Sequence, residues 1–381
     1  MAPNTNIPLS PAELSYLQTS LSATPPIRPD GRSPTQFRPL VAEADILPSA
    51  NGSARVCFSD GTEAIVGVKA EVEKSKAVRQ AEGEGAGEDV EMGEDINATG
   101  EGKGRNEWLE VAIDVPGLRD DDALPVFLGA MLSEALCADG GLRDRLWINA
   151  RFHWRLYVDV SIDFLYGWKF KDIMLTVLQI LLLSPPLSYP LPLLSLTTHL
   201  ALLSTRLPAL LSQGDEDPLF NDDWEASTYL YPRQSKSSPP QHQARPPITL
   251  LVTTVGPNIL FDPSRDELAV AETVLAISAA QTSAATAESS GLKVVAMRTI
   301  DPPSRLTAAG VPRDVNSASG AAATASAGEV LAAREKDEGR GVWRAPRGGV
   351  RRGVVAEAVK MIVAKGGVGE EVLGGLEGVE T

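Results

Sequence analysis

The stretch at residues 27–71, IRPDGRSPTQFRPLVAEADILPSANGSARVCFSDGTEAIVGVKAE, decides how the chain is read. It opens on a tight turn, Arg28-Pro29-Asp30-Gly31-Arg32. Two β-rich runs follow, at 53–59 and 63–70. Asp60-Gly61 stands between them. Asp-Gly supplies the positive φ angles of two-residue hairpin turns, so the block predicts a β-hairpin.

Working outward, residues 11–22 predict a short helix. Ser10 is its N-cap, and Glu13 completes a capping box. Leu14, Leu17 and Leu21 share one face. Residues 74–105 lose all apolar period in a run of Gly and Glu, which predicts a disordered acidic insertion. Residues 108–115 alternate as a strand, and 120–139 read as a helix without Lys or Arg. Strands are predicted at 146–149 and 154–158, and an apolar helix at 187–211. Residues 212–247 are polar and Pro-rich, a loop or linker. Four more strands follow at 248–255, 258–262, 272–279 and 294–298. Low-complexity Ala/Ser/Thr runs at 279–290 and 315–333 read as loops, and 354–376 reads as a closing helix. Strands and helices in this order predict a two-layer α+β fold.

The chain has 381 residues, 43% of them hydrophobic, enough for a substantial core. Its formal net charge is −15. A free-standing nucleic-acid binder is usually basic, so any RNA contact must be local or shared with basic neighbours. Cys57 and Cys137 lie in apolar runs and read as packed thiols. His153, His199 and His242 have no ligand spacing, so no metal is expected. The N-terminus carries neither a basic nor an apolar leader region, which predicts nuclear or cytoplasmic residence. Residues 173–205 hold no charged residue, but Pro185, Pro186, Pro190 and Pro192 argue against a membrane helix.

The segments SATPPIRPDGRSPTQFRPL (22–40) and SANGSARVCFSDGTEAIVGVKAEV (49–72) resemble the RNase PH family, and within it the ring subunits of the RNA exosome. The resemblance implies an RNase PH-like, ribosomal protein S5 domain 2-like fold with a following β-rich half. It divides the chain into an arm (1–26), a first half (27–211, with an acidic insertion at 73–107), a linker (212–247) and a second half (248–381, with a disordered stretch at 312–345). It also implies a non-catalytic scaffold within a ring of six RNase PH-like subunits. Single-stranded RNA threads the shared pore beneath RNA-binding cap subunits, toward a separate nuclease.

Catalytic members of the family need a cluster of acids for a metal, and basic side chains for phosphate. Asp262, Asp266 and Glu267 stand where the first acids would be, whereas Leu268 and Val274 stand where further acids would be. The cluster is therefore incomplete, and no catalytic residue, metal or cofactor is expected. Asp262-Pro263 also has an ordinary role in turn initiation. Arg55 and Lys69 on the opening strands are candidates for RNA contact in a pore. Arg143, Arg145 and Arg151, with Arg155, form a local basic cluster that suits RNA or an acidic neighbour. Two other readings stay open: an active phosphorolytic 3′-to-5′ exoribonuclease, and a ring-incompetent form.

The second of these rests on residues 160–179, VSIDFLYGWKFKDIMLTVLQ. The family resemblance stops at Asp159 and resumes at Ile180. Val160-Ser161 can be encoded by a donor-like GTNAGT, Gln179 by an acceptor-like CAG, and Met174-Leu175-Thr176 by a branch-point-like CTGAC. Twenty codons keep the reading frame, as an unspliced intron of that length would. A lineage-specific insertion is the alternative.

Overall fold

The computed structural model describes residues 9–75, 104–115, 118–119, 121–138, 140–159, 180–182, 189–212, 216–232, 244–281, 291–302, 304 and 349–379. Most of the acidic insertion (76–103), the interposed segment (160–179) and the stretch 312–345 lie outside the described residues.

Helix α1 (Pro11–Ser22) starts as its capping box dictates. The Ser10 N–H donates to Glu13 Oε2 at 2.6 Å, and the Glu13 N–H donates to Ser10 Oγ at 3.3 Å. Strands β1 (Leu40–Ala44), β2 (Gly52–Phe58) and β3 (Glu63–Lys74) then form an antiparallel meander. The β2–β3 turn differs from the two-residue form. Only Gly61 has positive φ (82°), and the Phe58 N–H donates to the Thr62 carbonyl. The loop thus has three residues with glycine in the left-handed position.

Strands β4 (Leu109–Val111) and β5 (Ile113–Asp114) precede α2 (Ala123–Ala138) and the single turn α3 (Gly141–Arg145). Strand β6 (Phe152–Asp159) pairs with β3, and β7 (Ile180–Leu182) pairs with β3 farther along the same edge. The seven-stranded sheet runs β1-β2-β3-β6-β4, with β7 beside β3 and β5 beside β7. After α4 (Leu191–Ser204) come the short pair β8 (Arg206–Leu207) and β9 (Thr228–Tyr229). The second sheet has the order β11-β10-β12-β13, from β10 (Ile248–Val255), β11 (Asn258–Phe261), β12 (Thr273–Gln281) and β13 (Leu292–Ile300). The turn α5 (Arg265–Leu268) links β11 to β12, and helices α6 (Arg352–Val363) and α7 (Val368–Glu377) close the described fold.

Helix α4 holds the layers together. Every residue from Leu191 to Ser204 is buried, and the helix touches β2 and β3 on one side and β10 on the other. A helix that is apolar all round belongs in an interior, which accounts for its lack of an amphipathic stripe. Its polar groups are all satisfied. The Ser53 N–H donates to Ser204 Oγ at 2.9 Å, tying the helix to β2, and the Thr249 N–H donates to Ser195 Oγ at 2.7 Å, tying it to β10. Thr197, Thr198 and Thr205 donate to the carbonyls four residues back. His199 Nδ1 lies 2.8 Å from the Pro246 carbonyl, which can only accept, so Nδ1 carries the proton. Helix α1 packs separately: Leu14 and Leu21 meet Val255, Leu260 and Val270.

Several local expectations are corrected. Residues 146–149 form no strand: Trp147 makes one isolated bridge to His153, and the Asn149 side chain accepts from the Arg151 and Phe152 N–H groups in a tight turn. Strand β3 runs through Glu73 to Lys74 because β6 runs on to Phe152 opposite, so the acidic insertion leaves the sheet later than expected. The stretch read as a linker contains β9 and buries Leu230 and Tyr231. The helix expected at 187–211 spans only Leu191–Ser204, and the closing helix breaks in two around Gly366-Gly367, where Gly366 has φ +69°.

Gly52 sits where β2 crosses the end of α4. A Cβ there would fall 2.4 Å from Thr205 Oγ1 and 2.5 Å from its Cα. Gly52→Ala should therefore destabilise the protein by about 1–3 kcal/mol in urea unfolding. Gly353→Ala, in α6 with open space around it, should instead stabilise by up to ~1 kcal/mol. Burial pushes the His199 imidazole down to about 4, against an ordinary 6.5. Between those values the unfolded chain binds the extra proton. Stability should accordingly fall as pH drops from about 6.5 toward 4, by up to about 1.4 kcal/mol per pH unit, and the slope should flatten in His199→Gln.

Candidate functional site

Asp262 directly follows β11 in an unusual backbone conformation (φ 46°) and is buried. Two arginines hold its carboxylate. Arg38 Nη2 donates to Oδ1 at 2.7 Å, Arg38 Nε to Oδ2 at 3.0 Å, and Arg32 Nη1 to Oδ2 at 2.9 Å. The Arg38 backbone N–H adds a bond to Oδ2 at 2.8 Å. Burial pulls the Arg38 guanidinium down, but the hydrogen bonds and charge of Asp262 outweigh it and hold it above the ordinary range. Arg38 also reaches Asp60 at 2.5 Å and lies over the Phe58 ring.

Glu267 is equally engaged. It is the third residue of α5, where it closes a capping box with Ser264. Both its oxygens also accept from Arg28, Oε1 from Nε at 2.7 Å and Oε2 from Nη2 at 2.8 Å. Both side chains are 0% exposed. The remaining Arg28 donors go to carbonyls, Nη1 to Ser33 and Phe261 and Nη2 to Asp262. Asp266 is exposed, apart from this network, while Leu268 and Val274 are buried in the core. The three acids thus make no open cluster: two are enclosed by arginines, and the third faces solvent. Among the described residues no group of three or more His, Cys, Asp or Glu is placed to hold a metal. The cavity lined by Leu132, Leu136, Ser195, Thr198 and Thr249 has a volume of about 10 Å³, room for a water molecule and no nucleotide.

Arg28, Arg32 and Arg38 were missed as partners of these acids. Their signal was three arginines within the quoted turn segment, in a chain short of positive charge.

Arg55 and Lys69 project from one face of the large sheet, where side chains alternate along each strand. Both are engaged there. Arg55 pairs with Glu63 and with Glu43, and Lys69 pairs with Glu71 at 2.5 Å. Arg155, on the same face, pairs with Glu73 and Glu110. Among the described residues, three bases thus meet five acids on this face. The other candidates have separate partners. Arg143 Nη1 donates to Asn106, Arg145 Nη1 to the Leu230 carbonyl beside the Tyr231 ring, and Arg151 Nη2 to Asp217. No helix among the described residues is long and apolar enough to cross a membrane.

Removing one side of the buried pair leaves an uncompensated charge. Arg28→Met and Glu267→Leu should each cost about 3–5 kcal/mol in chemical unfolding. The double variant should cost less than their sum by about 1–3 kcal/mol. Additive losses in the cycle would show the pair to be uncoupled.

No family model matches the chain. Exosome complex component RRP42 of Saccharomyces cerevisiae is 32% identical over 276 residues, covering 71% of this chain and 81% of that protein. Exosome complex component rrp42 of Schizosaccharomyces pombe is 30% identical over 274 residues, covering 71% and 77%. Among solved structures, a chain of the Archaeoglobus fulgidus exosome with RNA bound to the active site aligns with a TM-score of 0.47 at 19% identity, over 76% of this chain and 87% of that one. The assignment rests on the two sequence relatives: the chain belongs to the RRP42 family of exosome complex components.

Proposed function

We propose that this protein is a structural subunit of the RNA exosome ring without catalysis of its own. In this role it supports 3′-to-5′ RNA processing and degradation, ribosomal RNA maturation included, in the nucleus, nucleolus and cytoplasm. Its partners are the other RNase PH-like ring subunits and the RNA-binding cap subunits. The single observation that carries the non-catalytic reading is the state of Asp262 and Glu267. Their oxygens are taken up by Arg28, Arg32 and Arg38, so they offer no free carboxylate pair to a metal or a phosphate. Ring membership follows from the family. It also suits the outer edge of β1, which pairs only with β2 among the described strands and leaves Val41 exposed. Assembly would bury such an edge. RNA passing through a ring would owe its grip to neighbouring subunits, since the charged face of this chain is weighted toward acids.

Affinity purification of the tagged protein from its native gene, read by mass spectrometry, tests assembly. The other RNase PH-like subunits should co-purify, and their absence would sink the ring reading. The purified chain should release no nucleotide from RNA 3′ ends in phosphate and magnesium, and should bind single-stranded RNA no tighter than about 100 μM at physiological salt. Phosphate-dependent release that survives further purification and disappears in the exposed-site variant Asp266→Asn would restore the enzymatic reading.

A further inference from the structure

Strands β6 and β7 lie end to end along one edge of β3. Gly67 faces Asp159, and Ile65 faces Leu181. The residue numbers of each facing pair total 226 along β6 and 246 along β7, a step of twenty. Only one β3 residue, Val66, lies between Gly67 and Ile65, and Ile180 is the residue before Leu181. The other neighbours repeat the result. Leu109 faces Leu156, 47 residues ahead, and Ile113 faces Ile180, 67 ahead, again a step of twenty. Ala112, between them, donates its N–H to the Val158 carbonyl at 3.3 Å, so this ladder stays closed up to the junction.

Residues 160–179 number twenty. The register on both sides of the strand, against an antiparallel neighbour and against a parallel one, therefore runs from Asp159 to Ile180 as if the two were consecutive. A residue accommodated within a sheet ordinarily registers as a bulge that shifts the ladder. Connections belong between elements at the surface, not inside a strand paired on both edges. With the twenty residues removed, Asp159 and Ile180 are consecutive, and β6 and β7 are a single strand with unbroken register on both flanks.

We infer that residues 160–179 are encoded by an intron lying between two adjacent codons of one strand, and that the chain without them is the productive form. The boundary residues permit it: Val160-Ser161 and Gln179 can carry donor and acceptor sequences, and the sixty nucleotides keep the frame. The register adds what the codons cannot, because it locates both ends of the interruption from the pairing of other strands.

Reverse transcription across the junction, on transcripts of the native gene, is the direct test. Most products should be sixty nucleotides shorter than the genomic interval. The native protein should then give a tryptic peptide in which Asp159 is followed by Ile180. The inference is overturned if most transcripts retain the sixty nucleotides and the native protein yields LYVDVSIDFLYGWK, residues 156–169. Purified chains provide a second readout. A variant lacking residues 160–179 should unfold at a Tm at least as high as the full chain, and a shortened chain that fails to fold while the full chain folds would also overturn the inference. Neither readout depends on membership of a ring.

Discussion

Arg28 and Glu267 are 239 residues apart in the chain and form a bidentate pair with no solvent exposure. Two charges withdrawn from water are tolerable only if nearly every donor and acceptor is satisfied. Here they are. Arg28 spends its remaining donors on the Ser33, Phe261 and Asp262 carbonyls, and Glu267 also caps its own short helix. Arg32 and Arg38 repeat the arrangement on Asp262. The turn that holds Arg28 and Arg32 is thereby fastened to the loop that links β11 to β12. One constraint does two things: it fixes how the N-terminal segment meets the second sheet, and it leaves neither Asp262 nor Glu267 an open carboxylate.

The same logic runs through the rest of the molecule. Helix α4 is buried between the seven-stranded and the four-stranded sheet, with Ser204 bonded to β2 and Ser195 to β10. Neither sheet has a complete core without it. The outward face of the large sheet is a lattice of paired charges in which acids outnumber bases. In its described parts the chain offers shape and edges more than it offers a charged groove, which suits a component whose partners complete it.

What was legible in the sequence was local. The capping box of α1, the Gly61 turn and the strongly β-branched run of β10 announce themselves within a few residues, and the two-layer α+β class followed from the order of the elements, its RNase PH-like character from resemblance. The expected strand at 146–149 failed because its apolar residues obey another local rule, the turn built on the Asn149 side chain. The partners of Asp262 and Glu267 were out of reach for a different reason. Arg38 and Asp262 are 224 positions apart, and no periodicity or spacing links an arginine in one turn to an acid in another across that distance. The enclosure of the two acids therefore left no mark in the local sequence.

The span of the Arg28 pair also has a consequence for the order of synthesis. On a ribosome, α1 and its turn emerge before the groups that hold them, Asn258, Asp262 and Glu267, which follow more than two hundred residues later. Until then the three arginines lack their Asp262 and Glu267 partners, the apolar face of α1 is uncovered, and α4 has only one of its two sheets. Contacts this remote in sequence slow folding and prolong the exposure of sticky surface. The nascent chain must therefore be kept from wrong partners until its C-terminal half is made, so a chaperone or an early-binding neighbour would matter more to this protein than to one whose N-terminal segment folds on itself.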